Sequence, residues 1–420
     1  MDKLVIHGGR ELNGEIQISG AKNATLPLMA ATLLGPGIYQ FTNVPGLKDV
    51  RTMSHLLRIL GARVIENSHS LTIDTSSASY NEAPYELVKT MRASFYVLGP
   101  LVARQGEARV SLPGGCAWGP RPVDLHLKGL EALGAEIQLD EGYIVARAKR
   151  LKGAIFEFPI SSVGASGNIL MAAVLAEGET ILKNVALEPE ITHLAHFLNS
   201  MGARIDGVGT RELTIQGVEE LHPADAEMIP DRIETGSFLF GVGLTGGEVV
   251  LTNAEPSHLT AVIDAARRTG LQIELGMNSI RVSKGSARPI PITVTTEPFP
   301  GFPTDLQAPF MAQATLGNGV TTITDGIFSD RFTHVAELAR LGADIRMDGA
   351  TAIITGVKEL KGAPVMSTDL RASVCLVLAG LAAKGCTEVK RIYHLDRGYE
   401  KLEDKLSRVG ASITREEGDL

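Results

Sequence analysis

The sequence predicts an α/β protein of two domains, each built from three copies of a repeat of about 70 residues. Three observations carry that expectation. Six glycines, at positions 61, 134, 202, 270, 342 and 410, close apolar helix-like segments at spacings of 73, 68, 68, 72 and 68 residues. A β-prone run with a polar turn inside it follows nearly every one of them. The chain, at 420 residues, is also too long for one ordinary core.

Each part of the repeat has a local cause. The marker segments read Leu56–Val64, Leu130–Ile137, Phe197–Ile205, Ala265–Ile273, Leu338–Ile345 and Leu406–Ile413. In each the glycine takes the position after a helix, where a positive φ is wanted. The runs 64–73, 137–146, 205–215, 273–282 and 345–354 have apolar residues on both sides of a polar turn, which predicts hairpins. Earlier in the repeat, a polar or small cluster precedes an apolar helix and then a β-run. Examples are Val163–Ser166 before 167–176 and 178–182, and Pro303–Asp305 before 306–315 and 319–323. The repeat therefore reads helix, strand, helix, strand, strand. Alternating elements of this kind predict sheets covered by helices. A single copy cannot bury its own apolar face, so three must pack together. The domain break is expected between the third and fourth copies, with the proline-flanked His222–Pro230 as linker.

Composition narrows the function. Apolar residues make up 44% and charged residues 21%, as in ordinary globular proteins. The net charge of -8, without a long basic run, argues against a nucleic-acid partner. No apolar run approaches the roughly 20 residues of a spanning helix, and the N-terminal stretch lacks a secretory apolar core, so no membrane partner and a cytoplasmic location are expected. The three cysteines, Cys116, Cys375 and Cys386, suit a reducing compartment without a disulfide framework.

One loop concentrates chemistry. Pro113–His126 holds three glycines, three prolines, Cys116, the only tryptophan, Arg121, Asp124 and His126. Its proline and glycine content excludes a helix or strand interior before Val123, and Pro122 suits the first turn of a helix starting there. A lone cysteine is most often a buried structural one. Here the polar, glycine-rich surroundings argue against burial and favour a reactive thiol, with Arg121 as a cation able to lower its pKa.

The starts of the helices point to an anion. First helices begin at Lys22-Asn23, Arg92, Ser162-Val163-Gly164, Asp231, Thr304-Asp305 and Asp369-Leu370-Arg371. Second helices begin near Lys48-Asp49, Arg121–Asp124, Glu190, Ser257-His258, Asp330-Arg331 and Asp396-Arg397. A helix N-terminus carries about half a positive charge and unpaired N–H groups, so it attracts anions. Lys22, Arg92, Arg121, Arg371 and Arg397 at or beside such ends work against the dipole, which suggests a phosphate ligand rather than stability as the reason for them. Taken singly, each reads better as a solvated cap or surface pair, and Asp124, Asp305 and Asp369 read as N-caps.

Together, Gly20–Ala24, the Gly115–Ala117 loop with Arg121–His126, Phe302–Asp305, Ser367–Ala372 and Asp396–Tyr399 resemble the UDP-N-acetylglucosamine 1-carboxyvinyltransferase family, which belongs to the EPSP synthase superfamily. The resemblance covers the whole chain. It implies a two-domain inside-out α/β barrel of six pseudo-symmetric repeats. Residues 22–229 would form one domain, and 1–21 with 230–420 the other. It also implies transfer of the enolpyruvyl group of phosphoenolpyruvate to the 3′-hydroxyl of UDP-N-acetylglucosamine with release of phosphate, the first committed step of peptidoglycan synthesis. The reaction runs by addition and elimination through a tetrahedral ketal. No metal, organic cofactor or protein partner is required.

Residue by residue, the resemblance implies that Lys22, Asn23, Arg121 and Arg397 hold phosphoenolpyruvate. Cys116 would donate a proton to its C3 and can attach to its C2. Asp305 would accept the proton of the sugar hydroxyl, and Asp369 would assist proton movement near the same carbon. Arg92, Arg121, Pro122, Val123, Asp124, Leu125, Ser162, Val163, Gly164, Asp305 and Ile327 would line the UDP-sugar pocket, with Asp330 and Arg331 nearby. Ile160 stands where some members carry lysine, which puts a charge contact to the nucleotide there in doubt. A mobile Cys116 loop with glycine hinges, and alkylation of Cys116 by fosfomycin, are further implications. Two other readings are 5-enolpyruvylshikimate-3-phosphate synthase, which the Cys116 loop argues against, and a non-catalytic repeat scaffold.

Overall fold

The computed structural model describes residues 2–112 and 123–417. Its repeat is best seen in the third copy. A short strand, Ile155–Glu157, leads into helix Val163–Ala173, strand Glu179–Lys183, helix Pro189–Ser200 and the hairpin Arg204–Asp206/Glu212–Gln216. These strands make one four-stranded sheet. The leading strand lies parallel to Glu179–Lys183, which runs antiparallel to Glu212–Gln216, which in turn pairs with Arg204–Asp206. Six sheets of four strands share this order. The expected hairpins all form, and the six marker glycines all have positive φ, between 87° and 103°. The leading strand is an element of the repeat that the sequence pattern does not predict. At two to six residues it is too short, in most copies, to show a period of its own.

The chain divides into two compact units, Gly20–Ile229 and Met1–Ser19 with Pro230–Leu420. Each has its own apolar core. Leading strands are exchanged at the crossings. Leu12–Gln17 precedes helix Lys22–Ala31 in sequence but pairs in parallel with Gly247–Thr252 of the fourth copy. Ala226–Glu227 precedes helix Arg232–Thr245 but pairs with Ile38–Thr42 of the first. The stretch expected as a linker is thus tied into the fold in part: Ala226–Glu227 is a strand, and Met228 is 1% exposed with its carbonyl accepting from Asn43 Nδ2 at 2.7 Å. The sixth sheet has only one strand after its glycine, Ser412–Glu416, and the N-terminal strand Lys3–His7 fills the vacant place in it. Without it, Cys386–Lys390 and Ser412–Glu416 would each present an unpaired edge.

The first helix of each copy is buried nearly all round. In Leu370–Ala382 every residue from Arg371 to Leu381 is buried, and each of Val374, Leu376, Val377 and Leu378 contributes about 1.5–3 kcal/mol by leaving water. Second helices bury one face, as Val50, Met53, Leu56 and Leu57 do on Lys48–Ile59. Within Pro230–Leu420 the first helices Arg232–Thr245, Gln307–Ala314 and Leu370–Ala382 pack on one another, with the alternating strands outside. Close approach needs glycine at some contacts. A Cβ on Gly236 would lie 2.3 Å from Leu306 Cδ1, and one on Gly99 would lie 2.3 Å from the Asn168 carbonyl oxygen. The starts of the first helices carry the candidate residues Lys22, Arg92, Ser162, Asp305 and Asp369.

Candidate active site

In the unit Gly20–Ile229, Lys22 opens helix Lys22–Ala31. Its Nζ lies 3.1 Å from Asp49 Oδ2, and the two side chains are 12% and 5% exposed. Asp49 sits in the first turn of helix Lys48–Ile59, where a negative charge suits the dipole. Asn23, next along, is exposed. Arg92 opens the 3-10 turn Arg92–Val97 that feeds helix Leu98–Gln105. Cys116, Arg121 and Pro122 lie outside the described residues.

Past that stretch, Val123 precedes helix Asp124–Ala132. Asp124 faces solvent and pairs with Lys128 at 3.4 Å, without capping the helix, while Leu125 is 8% exposed. The organising group here is His126, a residue to which the sequence alone assigns no role. Its ring meets Phe95 edge-on at 5.1 Å, and its Nδ1 lies 3.0 Å from Asn168 Nδ2. Asn168 Oδ1 accepts from the Gly99 N–H at 2.7 Å, and its Nδ2 also donates to the Phe95 carbonyl at 3.0 Å. Asn168 can then only donate to His126, so Nδ1 accepts and the imidazole proton resides on Nε2. Burial, seconded by the Arg92 charge and opposed by Asp124, pushes the His126 pKa down to about 3. The imidazole packs against the start of the next helix, where a Cβ on Gly164 would lie 3.2 Å from His126 Nε2. Ser162 caps that helix through the Ala165 N–H at 3.4 Å, with Val163 and Gly164 half-buried behind it. Ile160 is 68% exposed. Asn168, a lone amide in an apolar helical run, is the sequence signal for this cluster.

In the other unit, Asp305 stands in the 3-10 turn Thr304–Leu306. It is not an N-cap. Its Oδ1 accepts from Arg331 Nη2 at 2.6 Å and its Oδ2 from Arg371 Nη2 at 3.2 Å. Burial opposes its charge, but the Arg371 and Arg331 guanidiniums outweigh burial and hold the carboxyl well below the usual carboxylate range. The side chain keeps 28% exposure, so this anion faces an opening. Arg371, expected as a ligand for a phosphate, instead serves the chain's own carboxylate and donates a further nitrogen to Tyr399 Oη at 3.2 Å. Asp369 caps helix Leu370–Ala382, with Oδ1 taking the Arg371 and Ala372 N–H groups at 2.8 and 3.1 Å. Its Oδ2 takes the Thr368 hydroxyl at 3.2 Å. Ile327 is 37% exposed, two residues past Asp325.

Arg397 does not begin a helix, contrary to expectation. It ends the 3-10 turn Ile392–Arg397, and the helix starts only at Leu402. Two left-handed residues, Arg391 at φ 60° and Lys401 at φ 44°, bracket its segment. Asp396 beside it is gripped by both terminal nitrogens of Arg415, at 2.5 and 3.2 Å. Among the described residues no group of three His, Cys, Asp or Glu side chains is arranged to hold a metal, and no helix is long and apolar enough to cross a membrane.

Within Met1–Ser19 with Pro230–Leu420, Asp305 is thus an ionised carboxylate held by two buried arginines, partly open and set among hydroxyl groups. The family model for EPSP synthase (3-phosphoshikimate 1-carboxyvinyltransferase) matches residues 6–406, and the chain belongs to the EPSP synthase family. Within it, the chain is 54% identical over 415 residues to the UDP-N-acetylglucosamine 1-carboxyvinyltransferase of Geobacter metallireducens, covering 99% of both chains. It is 53% identical over 422 residues to the protein of the same name from Chloroherpeton thalassium, covering 100% of this chain and 98% of that one. The crystal structure of the enolpyruvyl transferase NikO from Streptomyces tendae matches with a TM-score of 0.89 at 26% identity, over 99% of this chain and 98% of that one. An EPSP synthase structure from Acinetobacter baumannii matches with a TM-score of 0.76 at 20% identity over 99% and 100%, a likeness of fold.

Proposed function

We propose that this enzyme transfers the enolpyruvyl group of phosphoenolpyruvate to the 3′-hydroxyl of UDP-N-acetylglucosamine and releases phosphate, a step of peptidoglycan synthesis. The observation that carries this reading is identity above 50%, over essentially the full length, to relatives bearing that enzyme's name. The EPSP synthase reading has a likeness of fold at 20% identity behind it and is the weaker of the two.

Lys22, Asn23, Arg121 and Arg397 hold the phosphate and carboxylate of phosphoenolpyruvate. Bidentate arginine suits both groups. Cys116 gives a proton to C3 while the sugar oxygen bonds to C2 and its own proton passes to Asp305. The ketal then returns a C3 proton to the Cys116 thiolate as the C2–O bond to phosphate breaks and phosphate leaves, taking the proton held by Asp305. Support for Asp305 as acceptor is that it is ionised and partly open. Its two guanidinium partners also make it a weak base, so the proton reaches it as those bonds loosen. Support for Asp369 is its position; its Oδ1 caps the helix and its Oδ2 accepts the Thr368 hydroxyl. Arg92, Arg121–Leu125, Ser162–Gly164, Asp305 and Ile327 line the sugar-nucleotide pocket, and the hydroxyl residues Ser161 and Ser162 follow the exposed Ile160 in the chain. A cytoplasmic setting is supported by the sparse, odd cysteine count.

The test is phosphate release from phosphoenolpyruvate with UDP-N-acetylglucosamine or shikimate 3-phosphate as acceptor. Release is expected with the former alone. Release with shikimate 3-phosphate alone would reverse the assignment.

A further inference from the structure

Asp325 ends strand Val320–Asp325 and takes no part in the reaction described above. It is 2% exposed, and neutral donors fill its carboxylate. Its Oδ1 accepts the Thr296 hydroxyl at 2.7 Å and the backbone N–H groups of Ile327 and Phe328 at 3.0 and 2.8 Å. Its Oδ2 accepts the Thr304 hydroxyl at 2.7 Å. Four donors match the roughly four lone-pair sites of a carboxylate. A buried carboxylate satisfied this fully fixes whatever donates to it, because any donor that moves leaves buried charge behind.

Three of those donors lead to the candidate site. The Ile327 and Phe328 N–H groups hold the loop that presents Ile327, and the Gly326 N–H is held by Thr296 Oγ1 at 3.1 Å. Thr304 has one hydroxyl proton, and Asp325 takes it. Its oxygen therefore accepts, and Arg331 Nη1 donates to it at 3.1 Å. The same guanidinium gives Nη2 to Asp305. Thr304 thus donates to Asp325, and Arg331 donates both to Thr304 and to Asp305.

We propose that Asp325 and Thr304 are positioning residues for the UDP-sugar side of the reaction: they set Arg331 against Asp305 and shape the 326–328 loop. This rests on the function proposed above. The phosphoenolpyruvate ligands Lys22 and Arg397 make none of these bonds, so the effect should fall on one substrate.

The experiment is steady-state kinetics on the full chain, varying each substrate in turn, for Thr304→Val, Thr304→Ser and Asp325→Asn. Thr304→Val removes the link to Arg331 without touching the loop bonds. It should raise KM for UDP-N-acetylglucosamine about tenfold and leave KM for phosphoenolpyruvate within about twofold. Thr304→Ser keeps the hydroxyl and should restore KM to within about threefold of wild type. Asp325→Asn puts a donor where an acceptor is needed and should exceed Thr304→Val on the same substrate. If it does not fold, the threonine pair decides alone. Unchanged constants in Thr304→Val, or both KM values moving together without rescue by serine, would overturn the positioning role. Wild-type protein that releases no phosphate with UDP-N-acetylglucosamine would instead overturn the functional reading underneath it.

Discussion

Arg371 joins Asp305 to Tyr399: one guanidinium nitrogen lies 3.2 Å from the Asp305 carboxylate and another 3.2 Å from the Tyr399 hydroxyl. Ser237 donates its single proton to the Ile233 carbonyl at 2.8 Å, so the Tyr399 hydroxyl, 2.7 Å away, must donate to Ser237 and accept from Arg371. Tyr399→Phe strips an acceptor from a buried cation and a donor from a buried hydroxyl. The loss should be about 1–3 kcal/mol, read as a lower urea midpoint. An unchanged midpoint would show that the hydroxyl carries no weight.

Asp305 gives a pH dependence of definite sign. Its carboxyl is depressed in the fold, so as pH falls the unfolded chain takes up that proton first. The stabilisation is complete above the ordinary aspartate value of about 4 and is lost as pH falls through the folded value. Asp305→Asn should flatten the fall of stability with acid below about pH 4, measured by urea unfolding at stepped pH. A slope identical to wild type would mean the two arginines do not hold the charge.

His126 should stay neutral wherever the enzyme works. With its pKa pushed down to about 3, the folded protein refuses a proton that the unfolded chain accepts below about pH 6.5. Its contribution to stability is whole above that pH and shrinks as pH falls toward 3. Imidazole nitrogen shifts should report one neutral ring, protonated on Nε2, from pH 8 to about 5. An ordinary titration midpoint near 6.5 would contradict the buried Asn168 contact.

Lys22 tests the cation side. Lys22→Ala leaves Asp49, 3% exposed, without its ammonium and removes a proposed ligand of phosphoenolpyruvate. A loss of about 2–5 kcal/mol in kcat/KM for phosphoenolpyruvate is expected, with the circular dichroism spectrum kept. Retained kcat/KM would remove Lys22 from the clamp.

Gly342 tests the repeat itself. Its φ is 91° and nothing lies within 4 Å of the place a Cβ would take, so alanine there meets strain but no clash. Gly342→Ala should cost about 1–2 kcal/mol of stability and leave turnover alone. The same change at Gly134, also open around the Cβ, should give a like result.

The repeat is legible in the sequence because helix ends announce themselves: a left-handed residue after a helix is nearly always glycine, and six recur in phase. Hairpins are legible through their alternation. The leading strands are not, since Glu82–Ala83 and Ala226–Glu227 are two residues long and exist only through their partners. Of the residues proposed for the site, Lys22, Asp305 and Asp369 stand out in the sequence by type and by their place at helix starts. The role of Arg371 is hidden because its charge is visible in the sequence but its partner, 66 residues away, is not. His126, Asn168 and Asp325 matter through burial and partners distant in sequence. Arg397 suggests a helix start because the turn Ile392–Arg397 imitates one in sequence.

The central claim is the transfer itself, and product analysis tests it most directly. The enzyme incubated with phosphoenolpyruvate and UDP-N-acetylglucosamine should yield a UDP-sugar carrying an enol ether at its 3′-oxygen, seen by mass spectrometry and by vinyl proton signals, with one phosphate per product. A UDP-sugar recovered unaltered, with the enol ether appearing instead on shikimate 3-phosphate supplied in parallel, would contradict it.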